Sequence, residues 1–224
     1  MKVALCDDVD YSQGIVLRTI GLEGLEGYRY VKGVGGVDFF FEKEEQAQEF
    51  LSNYGKYVYA VGKRDLEEVV GSLLKERGLK LSTAESCTAG LLSARIVNVP
   101  GSSAYFVGGF IVYSNELKTK LLSVEEGTIK RYGSVSEEVC RQMAVGALEE
   151  TDADISLAIT GISGPGGATY TKPVGLTYIA LATDKEVLVK RFVFEGSRNE
   201  NRFMVTQWAL EMLRRYLLFG GIDV

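Results

Sequence analysis

Two short segments carry the residues best equipped for chemistry. The run Thr83-Ala84-Glu85-Ser86-Cys87-Thr88-Ala89-Gly90 sets the Glu85 carboxylate, the Ser86 and Thr88 hydroxyls and the Cys87 thiol side by side. It follows an apolar stretch, Leu79 to Leu81, and leads into an amphipathic one, Leu91 to Val97, so it reads as strand, polar turn and helix. Hydroxyls and free backbone N–H groups at a helix N-terminus favour an anion or a developing oxyanion. The same residues also act as plain N-caps, the commonest use of Ser and Thr at such positions. The second segment, Tyr113-Ser114-Asn115-Glu116-Leu117-Lys118, makes a strand-to-helix corner, so Tyr113 and Lys118 can face one crevice. A lysine withdrawn from water has its pKa lowered and can serve as a base, and a tyrosine beside it can pass a proton. A lysine left in water is only a solvated helix residue.

The chain of 224 residues contains no histidine. That excludes a Ser–His–Asp triad, a Cys–His dyad and any histidine-based zinc site within it. A hydrolytic base must then be Lys, Tyr, Asp, Glu or a water that they hold. The formal net charge of −5 argues against a nucleic-acid-binding surface, which is ordinarily basic. No apolar run reaches the roughly 18 residues that span a membrane. The start, Met1 to Asp8, turns acidic too early for a signal peptide. Cys6, Cys87 and Cys140 are an odd set at wide spacing, which suits a reducing cytoplasm better than a disulfide framework.

Residues 1–62 read as a small α+β unit in which no chemistry is apparent. Its strands are expected at Tyr28–Val31, Val37–Phe41 and Tyr57–Val61, with a helix over Glu42–Ser52. A boundary falls near Gly62-Lys63-Arg64-Asp65, and Asp65 caps a helix reaching Arg77. Residues 63–224 then alternate. Strands are expected at Leu79–Thr83, Tyr105–Tyr113 and Ile155–Thr160, with a hairpin of Val174–Thr183 and Glu186–Glu195 about Asp184-Lys185. Helices are expected at Thr88–Asn98, Glu116–Leu122, Val124–Tyr132, Ser136–Thr151 and Arg198–Phe219; Ser134 with Glu137 fits a capping box better than Ser136 does. This pattern implies an α/β/α three-layer sandwich with a mixed sheet, preceded by the small α+β domain. The apolar residues of the last helix, among them Trp208, Leu213 and Phe219, suit either the core or an interface.

Ligands of α/β sheets sit where loops leave the carboxyl ends of strands. The loop Thr160-Gly161-Ile162-Ser163-Gly164-Pro165-Gly166-Gly167 lets backbone N–H groups approach an anion closely, or else needs its glycines only for turns. It is not a nucleoside-triphosphate P-loop, because it lacks the Gly-Lys-Ser/Thr ending. Pro100-Gly101-Ser102-Ser103 by itself is an ordinary turn. Arg198 and Arg202 share one face of the last helix and could bind phosphate or carboxylate, or pair with surface acids.

Taken together these segments resemble one family. From Leu66 to about Leu218 the chain is similar to the C-terminal domain of the competence-damage-inducible CinA proteins, a domain also found alone as nicotinamide-nucleotide amidase. The resemblance rests on Ala84-Glu85-Ser86-Cys87-Thr88, Pro100 through Tyr105, Tyr113-Ser114-Asn115-Glu116 and Gly133 through Glu138. It rests also on Ile159 through Gly167, Lys172-Pro173-Val174-Gly175, Gly196 with Arg198, and Arg202. It implies hydrolysis of nicotinamide mononucleotide to nicotinic acid mononucleotide and ammonia, a salvage step in pyridine nucleotide metabolism, with no metal and no cofactor. The family's catalytic Ser, Tyr and Lys fall on Ser86, Tyr113 and Lys118. The substrate-binding set is then Glu85, Thr88, Ser102, Ser103, Asn115, Thr160, Gly161, Gly164, Gly166, Gly167 and Arg202. Glu85 would stand near the positive ring nitrogen, or else cap a helix or form a salt bridge, and Thr88 would cap or support the oxyanion turn. Cys87 reads as a small packing residue. Where the family has two glycines after the Thr, this chain has Ala89-Gly90, a change expected to matter little at a helix start. Residues 1–62 are too few for the molybdopterin-binding-like domain of full-length members, and Tyr57 to Gly62 resembles the end of their linker domain. The expected partner is a small-molecule nucleotide, neither nucleic acid nor membrane, with the chain a homodimer or higher homo-oligomer. A non-catalytic nucleotide-binding module, or an amidase or phosphatase for another nucleotide, is the alternative.

Overall fold

The aromatic and β-branched run Val37 to Phe41 suits a pleated, half-buried surface. In the computed structural model, which describes residues 14–222, it lies in a four-stranded antiparallel sheet. The chain divides into two compact units, one ending at Val69 and one beginning at Val70. The first holds β1 (Ile15–Thr19), β2 (Arg29–Gly33), β3 (Gly36–Phe41), α1 (Glu44–Tyr54) and β4 (Val58–Val61), with sheet order β2-β3-β1-β4. Phe39 and Phe50 are fully buried with ring centroids 4.7 Å apart. Strand β1 is absent from the sequence reading. Arg18 breaks its apolar pattern, yet Arg18 is buried and pairs with Asp38 directly across the sheet at 3.3 Å and with Asp65 at 2.7 Å. The paired carboxylates are what allow a guanidinium inside this unit.

The second unit begins within α2 (Leu66–Arg77) and continues β5 (Leu81–Glu85), α3 (Leu91–Val97), β6 (Phe106–Ile111), α4 (Asn115–Leu122), α5 (Glu126–Tyr132), α6 (Glu137–Glu149), β7 (Ile155–Gly161), β8 (Leu176–Thr183), β9 (Val187–Val193) and α7 (Arg198–Phe219). Its sheet runs β6-β5-β7-β8-β9, with β6, β5 and β7 parallel and β8 and β9 antiparallel. Helices cover both faces of this mixed sheet. Under α6 the strands present small residues in alternation: Ser82 and Ala84, Ser156 and Ala158, Ala180 and Ala182. Ser82 and Ser156 donate to the Ala147 and Ala144 carbonyls of α6, at 3.2 and 2.6 Å. Small side chains thus let the helix lie close. α3 and α7 pack on each other over the opposite face. Most of the apolar set of α7, including Leu210, Met212, Leu213 and Leu217, is core, whereas Leu218 and Phe219 are exposed.

Local boundaries differ from the sequence reading in two informative places. Helix α6 is capped by Ser136, whose hydroxyl accepts from the Val139 N–H at 3.3 Å, not by Ser134. Helix α3 starts at Leu91 rather than Thr88, because Ala89 (φ 49°) and Gly90 (φ 91°) stand in the left-handed region. Among the described residues no helix is long and apolar enough to cross a membrane, and no group of three His, Cys, Asp or Glu side chains could hold a metal ion. Cys87 and Cys140 are free and buried; Cys6 lies outside the described residues.

Candidate active site

Three parallel strands deliver the site because they end in register. Glu85, the last residue of β5, pairs with Ile111 on one side and Ile159 on the other. Two further bonds carry the pairing past the strand end: Ser86 N–H donates to the Ile159 carbonyl at 3.0 Å, and Val112 N–H to the Glu85 carbonyl at 2.9 Å. Ser86, the Val112–Tyr113 corner and the Gly161 loop therefore emerge at one sheet edge. Helix α4 then folds back from its N-cap, Ser114, whose hydroxyl accepts from the Leu117 N–H at 3.2 Å. That turn brings Lys118, four residues on, over the corner.

The Lys118 side chain is 1% exposed. Its Nζ lies 3.1 Å from Ser86 Oγ, 2.8 Å from the Val112 carbonyl and 3.2 Å from the Tyr113 carbonyl. None of the ion pairs of the described residues involves it. Burial lowers its pKa below the ordinary lysine value. A neutral amine has two N–H donors and one lone pair. The two carbonyls take the donors, and the lone pair is left to accept the Ser86 hydroxyl proton. Cys87 stands on the same wall, but burial pushes its thiol up to about 11, so at neutral pH it is no thiolate nucleophile.

Ser86, Cys87, Tyr113 and Lys118 line a cavity of about 240 Å³, together with Gly161, Ile162, Ser163, Gly164, Gly166 and Gly167 of the glycine loop. Ser134, Val135 and Arg198 complete it. The Tyr113 ring is exposed at the mouth, and it is the backbone carbonyl, not the phenol, that meets Lys118. The corner carrying Ser134 and Val135 is pinned from outside. Lys172 Nζ donates to the Tyr132 and Val135 carbonyls at 2.5 and 2.7 Å, and the Thr160 hydroxyl to the Ser134 carbonyl at 2.8 Å.

Several residues expected to bind substrate have other work. The Glu85 carboxylate is fully buried and accepts from the N–H groups of Gly90, Leu92 and Ser93 at 3.0, 3.0 and 2.8 Å, and from the Ser93 hydroxyl at 2.6 Å. It is the cap of α3, and it also consumes the helix-start N–H groups that the sequence offered to an oxyanion. Ser102 and Ser103 sit in a 3₁₀ turn before β6, beside the start of β5 and so at the sheet edge opposite Ser86. Asn115 faces a separate groove between α4 and α5. Thr160 is buried and spent on Ser134, and the buried Thr88 hydroxyl meets no partner. Arg202 donates to the Thr88 carbonyl at 2.7 Å and is not part of the wall; Arg198, one helical turn earlier, is. Cys87, Ser134, Val135, Ile162, Ser163 and Arg198 are the wall residues absent from the expected set. Gly133 through Glu138 could have pointed to Ser134 and Val135, Gly196 with Arg198 to the arginine, and the segments Ala84–Thr88 and Ile159–Gly167 already held Cys87, Ile162 and Ser163.

Fold and site together define a class: a mixed-sheet α/β/α domain with a buried Ser–Lys pair at the carboxyl edge of its parallel strands, beneath a glycine loop. The chain belongs to the CinA family, whose C-terminal domain model matches residues 63–217. It is 44% identical over 189 residues to a CinA-like protein of Chloroherpeton thalassium, a match covering 81% of this chain and 45% of that protein. It is 46% identical over 178 residues to a CinA-like protein of Thermotoga neapolitana, covering 80% and 43%. The chain thus spans less than half the length of these curated relatives. Among solved structures, the competence/damage inducible protein CihA from Agrobacterium tumefaciens superposes with a TM-score of 0.65 at 39% identity, covering 66% of this chain and 91% of that one. A CinA superfamily protein from Klebsiella pneumoniae superposes with a TM-score of 0.66 at 30% identity, covering 69% and 98%.

Proposed function

We propose that this chain hydrolyses the carboxamide of nicotinamide mononucleotide to nicotinic acid mononucleotide and ammonia, with Ser86 as nucleophile and Lys118 as general base. The observation that carries the reading is the buried Lys118 Nζ 3.1 Å from Ser86 Oγ with no carboxylate paired to it. Neutral Lys118 takes the Ser86 proton as Oγ attacks the carboxamide carbon. The proton passes to the departing amine, so ammonia leaves and an acyl-serine remains. Water then attacks, Lys118 accepts its proton, and the acid is released as the Ser86 hydroxyl is restored. The oxyanion is met by the N–H groups of the Cys87–Thr88 turn, since those at the start of α3 already serve Glu85. The glycine loop from Gly161 to Gly167, with Arg198 beside it, receives the phosphate. Tyr113 covers the mouth, and Val135 and Ile162 offer apolar surface to the ring.

The test is ammonia release from nicotinamide mononucleotide by the wild type, Ser86→Ala and Lys118→Met. Stoichiometric ammonia and acid are expected from the wild type. Loss of a positioned base typically costs ~10²–10⁴-fold in rate, so Lys118→Met should fall in that range while nucleotide binding persists, and Ser86→Ala should fall at least as far. Near-normal rates in either variant would refute the assignment. Nucleotide binding without ammonia would instead mark a non-catalytic module, and release of inorganic phosphate a phosphatase.

A further inference from the structure

Three side chains at the start of α7 reach two different loops of the site. Arg198 Nη1 donates to the Gly164 carbonyl at 2.8 Å, Asn201 Nδ2 to the Ser163 carbonyl at 3.1 Å, and Arg202 Nη2 to the Thr88 carbonyl at 2.7 Å. The first two acceptors belong to the glycine loop. The third belongs to the turn that follows the candidate nucleophile. Asn201 is 1% exposed, and its amide is used at both ends, because Nδ2 also donates to the Gly196 carbonyl at 2.9 Å while Oδ1 accepts from the Gly196 N–H at 2.9 Å. Neither Asn201 nor Arg202 lines the cavity.

Both loops need an outside support. The nucleophile turn passes through two left-handed residues, Ala89 and Gly90, before any regular helix begins. The glycine loop has left-handed Gly164 and Gly167 and lies outside any helix or strand beyond Gly161. Helix α7 is by contrast a fixed rod. Its first turn is closed by a capping box between Ser197 and Glu200, and Phe203, Val205 and Thr206 are buried beneath it.

We propose that Asn201 and Arg202 are positioning residues: the first two turns of α7 act as a bracket that sets the spacing between the nucleophile turn and the glycine loop. Arg202 orients the turn whose N–H groups face the developing oxyanion, and Asn201 orients the loop that receives the anionic end of the substrate. In its kinetic part this rests on the hydrolase reading above. Small displacements of positioned groups are costly to catalysis, so the two residues should act on different parameters.

The experiment compares the full chain with Arg202→Gln, Arg202→Lys, Asn201→Asp and Asn201→Ser, the last serving if the buried carboxylate prevents folding. Hydrogen exchange is read by mass spectrometry, alongside turnover of nicotinamide mononucleotide. Arg202→Gln should speed exchange at least tenfold in peptides over 86–91 and leave those over 162–168 unchanged. Its kcat should fall roughly 10–100-fold with KM within threefold, and Arg202→Lys should recover part of the loss. The Asn201 variants should do the converse, with faster exchange over 162–168 and a raised KM. Exchange that is unchanged, or that rises evenly over the whole chain, overturns the bracket, as does a matched fall of kcat in both sets. If the wild type releases no ammonia, the hydrolase reading fails, and the exchange pattern alone decides the bracket.

Discussion

At the scale of single residues, the decisive contact is between Lys118 and Ser86, and its chemistry depends on protonation. Burial holds the Lys118 pKa below its value in the unfolded chain. Only the neutral amine can take the serine proton, so kcat/KM should rise tenfold per pH unit below that lowered pKa and flatten above it. The sign for stability is the same. Between the folded and unfolded pKa values the unfolded chain holds more protons, so stability rises with pH across that window. A pH–rate profile with Lys118→Met as control checks the first statement; a profile falling with pH would refute a lysine base. Ala89 supplies a second residue-scale prediction. The sequence set it in a helix, where alanine is welcome, but it stands at φ 49°. The left-handed region costs a non-glycine residue roughly 1–2 kcal/mol, partly offset by the freedom glycine has when unfolded. Ala89→Gly should therefore stabilise the chain by about 0.5–1 kcal/mol, read as a higher denaturation midpoint.

At the scale of elements, strands and helices were legible from periodicity, while their ends were not. Strand β5 runs two residues past its expected end at Thr83, to Glu85, and α3 begins three residues after its expected start at Thr88. The strand continues because Glu85 still pairs with Ile111 and Ile159, and α3 starts late because Ala89 and Gly90 are left-handed. The Glu85 carboxylate captures the free N–H groups of α3, a long reach that no local capping rule describes. Glu85→Ala should leave buried donors unpaired at about 1–3 kcal/mol. For a chain of this size about 2 kcal/mol corresponds to roughly 4–8 °C in Tm, measurable by calorimetry. An unchanged Tm would remove Glu85 from this role. Strand β1 escaped the sequence reading for a related reason. Arg18 looks like a strand breaker until Asp38, twenty residues on, is paired against it.

At the scale of the whole molecule, the chain carries two compact units, and every wall residue of the cavity belongs to the second. A core defect confined to the first should therefore spare the chemistry. Phe50→Ala removes a fully buried ring and should cost about 3–5 kcal/mol, seen as a transition at lower temperature. At temperatures below that transition, kcat/KM for nicotinamide mononucleotide should stay within twofold of the wild type. A large loss would show that the first unit contributes to the site.

The sequence by itself determined the class of fold, the order of most elements and the exclusion of histidine chemistry, because periodicity and composition are local or additive properties. It also brought Ser86, Lys118 and the glycine loop forward as candidates, since their residue types and turns are visible along the chain. Only the tertiary structure decided which candidates meet. The register of the parallel strands carries Ser86, Tyr113 and Gly161 to one edge and Ser102 and Ser103 to the other. It commits Glu85 to a helix end, exchanges Arg202 for Arg198 on the cavity wall, and withdraws Lys118 from water. Those outcomes depend on contacts between residues distant in sequence, where packing and desolvation, not spacing along the chain, set the chemistry.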